Sequence, residues 1–466
     1  MSHRRCATLI TALVVALAVQ DAAQESLSAR DDVHRVRRER AMQAAADSIL
    51  LVRARTSVMT GYESGLRQDA AFYYLTGLGN AVGALLALDA RRHESWLFVP
   101  DSGRLPGFGA AIRAPYGYVV PGVETATRLG IEHVVLWDDF AGFLDRRLAE
   151  DSTLVIRGPF RDVSSAAPAA LVGHDEAALW EQALRSRWPQ ARLGRGPNMN
   201  TLREIKDSGE IVALRAVGRS SAAALRAGLS ALRPGRRQRA AVADVLAACV
   251  HAGADGISFW PWLMTGANSD IGVALQSLAD YRFLDMVMRA GDLARVDVGC
   301  AQEHYEGDVG RTAPVSGHFT PDQREAWDVF VAAYRAGLAA MKPGRTREDV
   351  FAAWQGEFER RRSTLRTAFG RRTAEVALSS AVAQFWQIHG VGIASAEGIV
   401  NTLRTGQVLA FEPMLTVDGV GLYLEDMILV TPTGAEVLTT GLPYTAAEIE
   451  RAMRTSRQTA GGLTGR

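Results

Sequence analysis

Ala294-Arg-Val-Asp297-Val-Gly-Cys-Ala-Gln-Glu-His304-Tyr-Glu-Gly-Asp308-Val-Gly-Arg-Thr312 is the stretch that decides the fold. Two acids eleven residues apart each sit beside valines, with Gly299 and Gly307 between them. This pattern predicts a strand, a tight turn and a returning strand that bring both acids to one place. A second stretch has the same form. Glu412 closes Val-Leu-Ala-Phe-Glu412 before Pro413, and thirteen residues later Glu425 lies in Leu-Tyr-Leu-Glu425-Asp-Met-Ile-Leu-Val, with Asp418-Gly-Val-Gly421 as the turn. A third element supplies His389, which opens His389-Gly-Val-Gly392. Any one of these acids alone could cap a helix or make a surface ion pair. Together, a set of buried carboxylates is costly unless something pairs them. Four carboxylates and one imidazole suit Mn²⁺, Fe²⁺, Co²⁺ or Zn²⁺, and two ions better than one.

The surrounding sequence repeats itself. Arg233-Pro-Gly235 and Lys342-Pro-Gly344 each end a helical pattern that another helix follows. Gly291-Asp-Leu-Ala-Arg-Val-Asp297 parallels Gly406-Gln-Val-Leu-Ala-Phe-Glu412, with the acid six residues after the glycine both times. Two similar halves are expected, with the two acid strands side by side at a pseudo-two-fold axis. The helix opening this region is expected to run unbroken from Thr201 to about Ala231, and a second from about 238 to 252.

Before residue 195 the chain reads differently. Residues 33–55 suggest a helix leading into a strand. Residues 83–88, 95–99, His133-Val-Val-Leu-Trp137 and Thr153-Leu-Val-Ile156 read as strands, with a helical pattern at 138–149. Alternating strands and helices indicate an α/β domain. Pro189 and Arg195-Gly-Pro-Asn-Met-Asn200 read as the linker. The expected organisation is a signal peptide over 1–23, domains over 33–195 and 201–445, and a tail over 446–466.

Arg4-Arg5 precedes an apolar run from Ala7 to Val19, a basic and then apolar order of signal-peptide length. Ala16-Leu-Ala18 and Asp21-Ala-Ala23 are both candidate cleavage sites, and an exported (periplasmic or secreted) protein is expected. Nothing else reads as a membrane span. A net charge of +1 gives no electrostatic case for nucleic acid or a membrane surface. Beyond the apolar run only Cys249 and Cys300 remain, too few for a zinc ribbon and in no paired-cysteine motif. No nucleophile-elbow motif suggests a serine or cysteine hydrolase.

From about residue 55 to 445 the chain resembles the pita-bread metallopeptidases: aminopeptidase P, prolidase and methionine aminopeptidase. Beyond the five residues, the resemblance rests on Arg67-Gln-Asp-Ala-Ala-Phe-Tyr-Tyr-Leu-Thr-Gly77, Leu-Arg-Glu-Ile-Lys206-Asp-Ser-Gly-Glu-Ile211, Asp308-Val-Gly-Arg-Thr312 and Glu425-Asp-Met-Ile-Leu-Val-Thr-Pro-Thr-Gly434. The first of these resembles the N-terminal domain of aminopeptidase P. The resemblance implies an α/β fold class: an aminopeptidase P-like N-terminal α/β domain, then a duplicated α+β pita-bread domain. It implies two divalent metal ions, Mn²⁺ first, with Zn²⁺, Co²⁺ or Fe²⁺ as alternatives. Asp297 would hold one ion, His389 and Glu412 the other, and Asp308 and Glu425 would bridge them. Glu412 would also accept a proton from the attacking water. The implied partner is a peptide with proline second, cut after its first residue; no nucleic acid is implied, and homo-oligomerisation stays open. A prolidase-like dipeptidase and a metal-binding relative that no longer cleaves are the alternatives.

The departures from the family are specific. Phe385 stands four residues before His389 and Ala396 seven after it, where the family usually has histidines. Gly266-Ala-Asn-Ser-Asp-Ile-Gly-Val-Ala-Leu-Gln-Ser277 also lacks one. One oxyanion donor is typically worth about two to three orders of magnitude in rate, so a weakened enzyme is expected. Trp262, Gln276, Phe385 and Trp386 are candidates to line the substrate pocket.

Overall fold

The computed structural model describes residues 33–55, 67–101, 119–158, 176–280, 285–380, 382 and 386–463. The expected signal peptide and Phe385 lie outside them. The chain forms two units, Met1–Leu202 and Arg203–Arg466.

The first unit holds a six-stranded sheet, with β1 (Ser48–Arg53), β2 (Leu85–Asp89), β3 (Glu94–Val99), β4 (His133–Leu136), β5 (Val155–Gly158) and β6 (Arg192–Arg195) in the order β4-β3-β2-β1-β5-β6. β1–β2 and β2–β3 are antiparallel; β3–β4, β1–β5 and β5–β6 are parallel. β6 is not among the strands expected from the sequence, because Arg192-Leu-Gly-Arg195 carries too little apolar pattern to mark one. A helix over Asp138–Glu150 lays Phe140, Phe143 and Leu144 on the sheet.

The helix expected from Thr201 to about Ala231 is not continuous. A short helix over Met199–Arg203 ends, Ile205 bridges to Gln407, and a new helix covers Ser208–Ala231. The break is local chemistry. Asp207 accepts from the Glu210 amide and Glu210 reaches back to the Asp207 amide, a complete capping box. The next helix covers Gln238–His251.

The strands of the second unit are β7 (Gly256–Ile257), β8 (Trp262–Thr265), β9 (Leu293–Val298), β10 (Cys300–Gln302), β11 (Tyr305–Glu306), β12 (Val309–Pro314), β13 (Gln387–Gly390), β14 (Val408–Glu412), β15 (Met414–Val417), β16 (Val420–Thr431) and β17 (Gly434–Val437). The main sheet runs β13-β14-β16-β12-β9-β8, with β15 and β17 added to β16. Three strands on one side mirror three on the other. The loops repeat too. Gly235 and Gly344 have φ of 83° and 85°, and their amides donate to Met288 and Leu403 carbonyls. Gly291 and Gly406 have φ of 92° and 90°. The acid strands β9 and β14 are not neighbours, however; β12 and β16 lie between them, pairing Gly310 with Glu425. The pseudo-two-fold axis therefore passes between the returning strands of the two hairpins. The first hairpin also carries an insert, β10–β11, whose two-residue turn places Glu303 and His304 at φ of 48° and 68°.

Helices over Pro321–Ala340 and Arg347–Arg361 pack Trp327, Phe330, Tyr334 and Trp354 into one core with the sheet. Residues expected as a tail form a helix over Ala446–Leu463, and its Ala446, Ile449 and Met453 join that core. Cys249 and Cys300 form a disulfide that ties the Gln238–His251 helix to β10. Two cysteines 51 residues apart gave no sequence signal for it.

Candidate metal centre

Each strand delivers its acid by simple alternation. Asp297 lies near the end of β9, Asp308 directly before β12, Glu412 at the end of β14 and Glu425 mid-way along β16. His389 lies on β13, whose Gln387 pairs with Glu412. All five side chains are buried. The ligand atoms of Asp308, His389 and Glu425 lie within 4.8 Å of one another. His389 Nε2 is 3.9 Å from Asp308 Oδ2 and 3.9 Å from Glu412 Oε1. Its Nδ1 is 3.1 Å from the Gly390 carbonyl, which can only accept. A proton on Nδ1 would donate there and leave the Nε2 lone pair toward the acids, as a metal ligand requires.

The electrostatics of the bare cluster are unfavourable. Two like charges about 4 Å apart cost about 4 kcal/mol at an effective dielectric constant of about 20. Burial, then the neighbouring acids Asp297 and Glu412, push the Asp308 carboxyl well above its ordinary range. Burial, then Asp308, does the same to Glu425. Burial pushes Asp297 up to about 6, against the pull of the Arg295 guanidinium. Asp297 Oδ1 and Glu425 Oε1 are buried without a hydrogen-bond partner. Orphaned carboxylate oxygens in a buried cluster with an imidazole are the donor set that divalent cations complete, so these residues fit such ions.

Two further residues belong to the centre. Arg295 Nη2 donates to Asp297 Oδ2 at 3.0 Å. Tyr423 donates to Glu425 Oε2 at 2.5 Å and lies 3.1 Å from Glu412 Oε2. Each lies two residues before an acid, so each shares its face, and that spacing was the one available sequence signal. Gly310 makes room for Tyr423: a Cβ there would come within 1.9 Å of the ring.

Outside the acids, two buried networks hold the frame. Arg311 donates to the Gly310, Glu425 and Pro443 carbonyls and pairs with Asp426, which also accepts from Tyr334, Thr439 and Tyr444. This cross-link clamps β12 to β16 beside Asp308 and Glu425, which explains the flanks Gly-Arg-Thr312 and Asp426. Glu397 pairs with Lys206 and Arg203 and accepts from the Ile393 amide. It thereby fixes the loop that follows His389 and carries the exposed Ala396.

The expected pocket residues divide. Trp262 pairs across the strands with Asp297 and is half-buried beside the centre. Gln276 is exposed on the helix Ile271–Asp280 and, among the described residues, makes no hydrogen bond to the five. Trp386 is a correction: it is fully buried, edge-on to Phe351 and Phe411, and packs in the core. Three large rings meeting there exclude a peptide.

The description "Metallopeptidase family M24" matches residues 212–432, and "Aminopeptidase P, N-terminal domain" matches residues 34–156. Residues 212–432 form a metallopeptidase family M24 domain. It is 25% identical to the Xaa-Pro aminopeptidase of Escherichia coli over 448 residues, 90% of this chain and 96% of that one. It is 33% identical to Xaa-Pro aminopeptidase 2 of Streptomyces coelicolor over 190 residues, 36% of this chain and 40% of that one. Proline aminopeptidase P II from Yersinia pestis has a similar structure, with a TM-score of 0.69, 25% identity and cover of 91% of this chain and 99% of that one. The second unit is a pita-bread domain, and the chain is an Xaa-Pro aminopeptidase-like metallopeptidase that uses divalent metal ions.

Proposed function

We propose that this M24 peptidase is an exported Xaa-Pro aminopeptidase working with two divalent ions, Mn²⁺ first, and that its turnover is weakened. The observation that carries the reading is the buried convergence of Asp308, His389, Glu412 and Glu425, with Asp297 close enough for the Glu412 charge to act on it. His389 and Glu412 would hold one ion and Asp297 the other, with Asp308 and Glu425 between. When bound, such ions supply an acidified water and a polarised scissile carbonyl. Glu412 can take the water's proton on a carboxylate oxygen and return it to the leaving amine. Tyr423 orients Glu412 and Glu425. Trp262 offers a flat apolar wall on which a prolyl ring can stack.

The weakening rests on Ala396 and the histidine-free Gly266–Ser277 segment. With Mn²⁺ supplied, a tripeptide with proline second should be cut after its first residue, about 10²–10⁴-fold more slowly than by a relative with its histidines intact. Ala396→His should recover part of that deficit. Preference for a dipeptide would favour the prolidase reading, and absence of cleavage with both ions bound would favour a binding protein.

Export rests on the order of basic and apolar residues at the start and on the Cys249–Cys300 disulfide, a bond that persists in oxidising compartments. Intact-mass measurement from the native host should find residues 1 to about 23 removed. Retention of Met1 would sink this part.

A further inference from the structure

One row of residues crosses the main sheet through the centre. Trp262 opposes Asp297, Asp297 opposes Gly310, and Gly310 opposes Glu425. Phe411 opposes Asp426, so Glu412 falls beside Glu425 in the same register, and Glu412 in turn opposes Gln387. β13 is the edge strand, so Gln387 closes the row. Alternation fixes its direction. Trp386 and Ile388, on either side of it, are fully buried in the core. Gln387 and His389 therefore face the other way, where His389 Nε2 already lies 3.9 Å from Glu412. Directly opposed side chains in antiparallel strands have Cβ atoms about 4.5–5.5 Å apart, so the Gln387 amide reaches what Glu412 meets.

That amide is uncommitted. Gln387 is half-buried and, among the described residues, its side chain makes no hydrogen bond. Two other glutamines of this unit are engaged: Gln238 holds the Thr265 amide and hydroxyl, and Gln407 the Arg404 amide. The strong donors near the acids are taken as well. Tyr423 donates to Glu425, and Arg295 donates to Asp297 and is only 2% exposed. A carboxamide carries two N–H donors and no charge, so it can offer a donor to an oxygen without adding to the repulsion among four acids. Ala396 and the histidine-free Gly266–Ser277 segment supply no imidazole for that task.

We propose that Gln387 is a catalytic residue whose side-chain N–H donates to the scissile carbonyl oxygen of the peptide, a bond that strengthens as that oxygen gains charge. This rests on the Xaa-Pro aminopeptidase reading given above. No proton leaves the amide. The water oxygen adds to the carbonyl carbon while one water proton passes to Glu412. That proton then goes to the proline nitrogen as the C–N bond breaks and the C=O bond re-forms. A neutral amide holds an oxyanion less strongly than a charged donor would, so the outcome is a slowed enzyme and not a dead one.

The test is steady-state kinetics of the full-length protein, with Mn²⁺ supplied, on a tripeptide with proline second. Gln387→Leu and Gln387→Met remove the donor and keep most of the bulk. Each should lower kcat by about 10²-fold, the low end for one lost oxyanion donor, with KM moving by less than about threefold. Mn²⁺ uptake followed by calorimetry should stay as in the unmodified chain. Gln387→His should recover most of the lost rate, a rescue that packing alone would not give. If Gln387→Leu loses its cooperative melt, Gln387→Met decides. A folded donor-free variant that keeps kcat within about threefold would overturn the role of Gln387 alone. So would a loss of rate matched by a loss of Mn²⁺ uptake, since Gln387 would then act through the ligands. An unmodified protein that takes up the ions and cuts no Xaa-Pro peptide would overturn the aminopeptidase reading and this proposal together.

Discussion

Glu412→Gln is expected to lower kcat/KM on a Xaa-Pro tripeptide by about 10³-fold or more, while leaving the fold intact. General-base assistance alone is worth about 10²–10⁴-fold. The same carboxylate, 3.9 Å from His389 Nε2, would also lose charge as a ligand. Glutamine is nearly the same size, so the packing of β14 against β13 and β16 should survive. The melting temperature of the metal-free variant should stay level or rise, because one of four mutually repelling acids has become neutral. A variant that keeps within tenfold of full activity would remove Glu412 from the proton-transfer role. A variant that fails to fold would place it in the frame of the domain instead.

What the sequence discloses here follows from how local each feature is. Asp418-Gly419 reads as a hairpin turn because aspartate and glycine accept positive φ, and the structure has them at 49° and 76°. The two Gly-to-acid segments read as a repeat because their glycines do the same backbone job. What stayed hidden depends on which strands meet. Alternation says that Arg295 and Tyr423 share a face with their acids, but not that one lies over the other; that follows from β12 standing between β9 and β16. The same cross-strand order separates β9 from β14, against the expectation of adjacent acid strands. Trp386 was misplaced for a related reason. An aromatic pair near a ligand histidine can face a pocket or the core, and only the positions of Phe351 and Phe411 decide.

Stripping the ions should destabilise the protein, and by more at higher pH. In the metal-free fold, burial raises Asp297 to about 6 from an ordinary 3.8, and burial with like charge raises Asp308 and Glu425 well above their ordinary ranges. The folded state therefore binds more protons than the unfolded chain once pH exceeds the ordinary carboxylate range. Stability then falls as pH rises. The contribution of Asp297 is fully present below about pH 4 and is lost as pH rises through about 6, a loss of about 3 kcal/mol. Asp308 and Glu425 extend the fall to higher pH. Bound cations reverse the sign, since they need these groups ionised and bind better as protons leave. Melting curves at pH 5, 6, 7 and 8, with chelator and with Mn²⁺, should show the chelated protein weakening steadily and the gap between the two widening. The disulfide and the Arg311–Asp426 clamp should hold the frame together through that range, so the chelated protein should still melt cooperatively at pH 8. A chelated protein whose melting point is flat from pH 5 to 8 would mean that the four acids do not share one buried site.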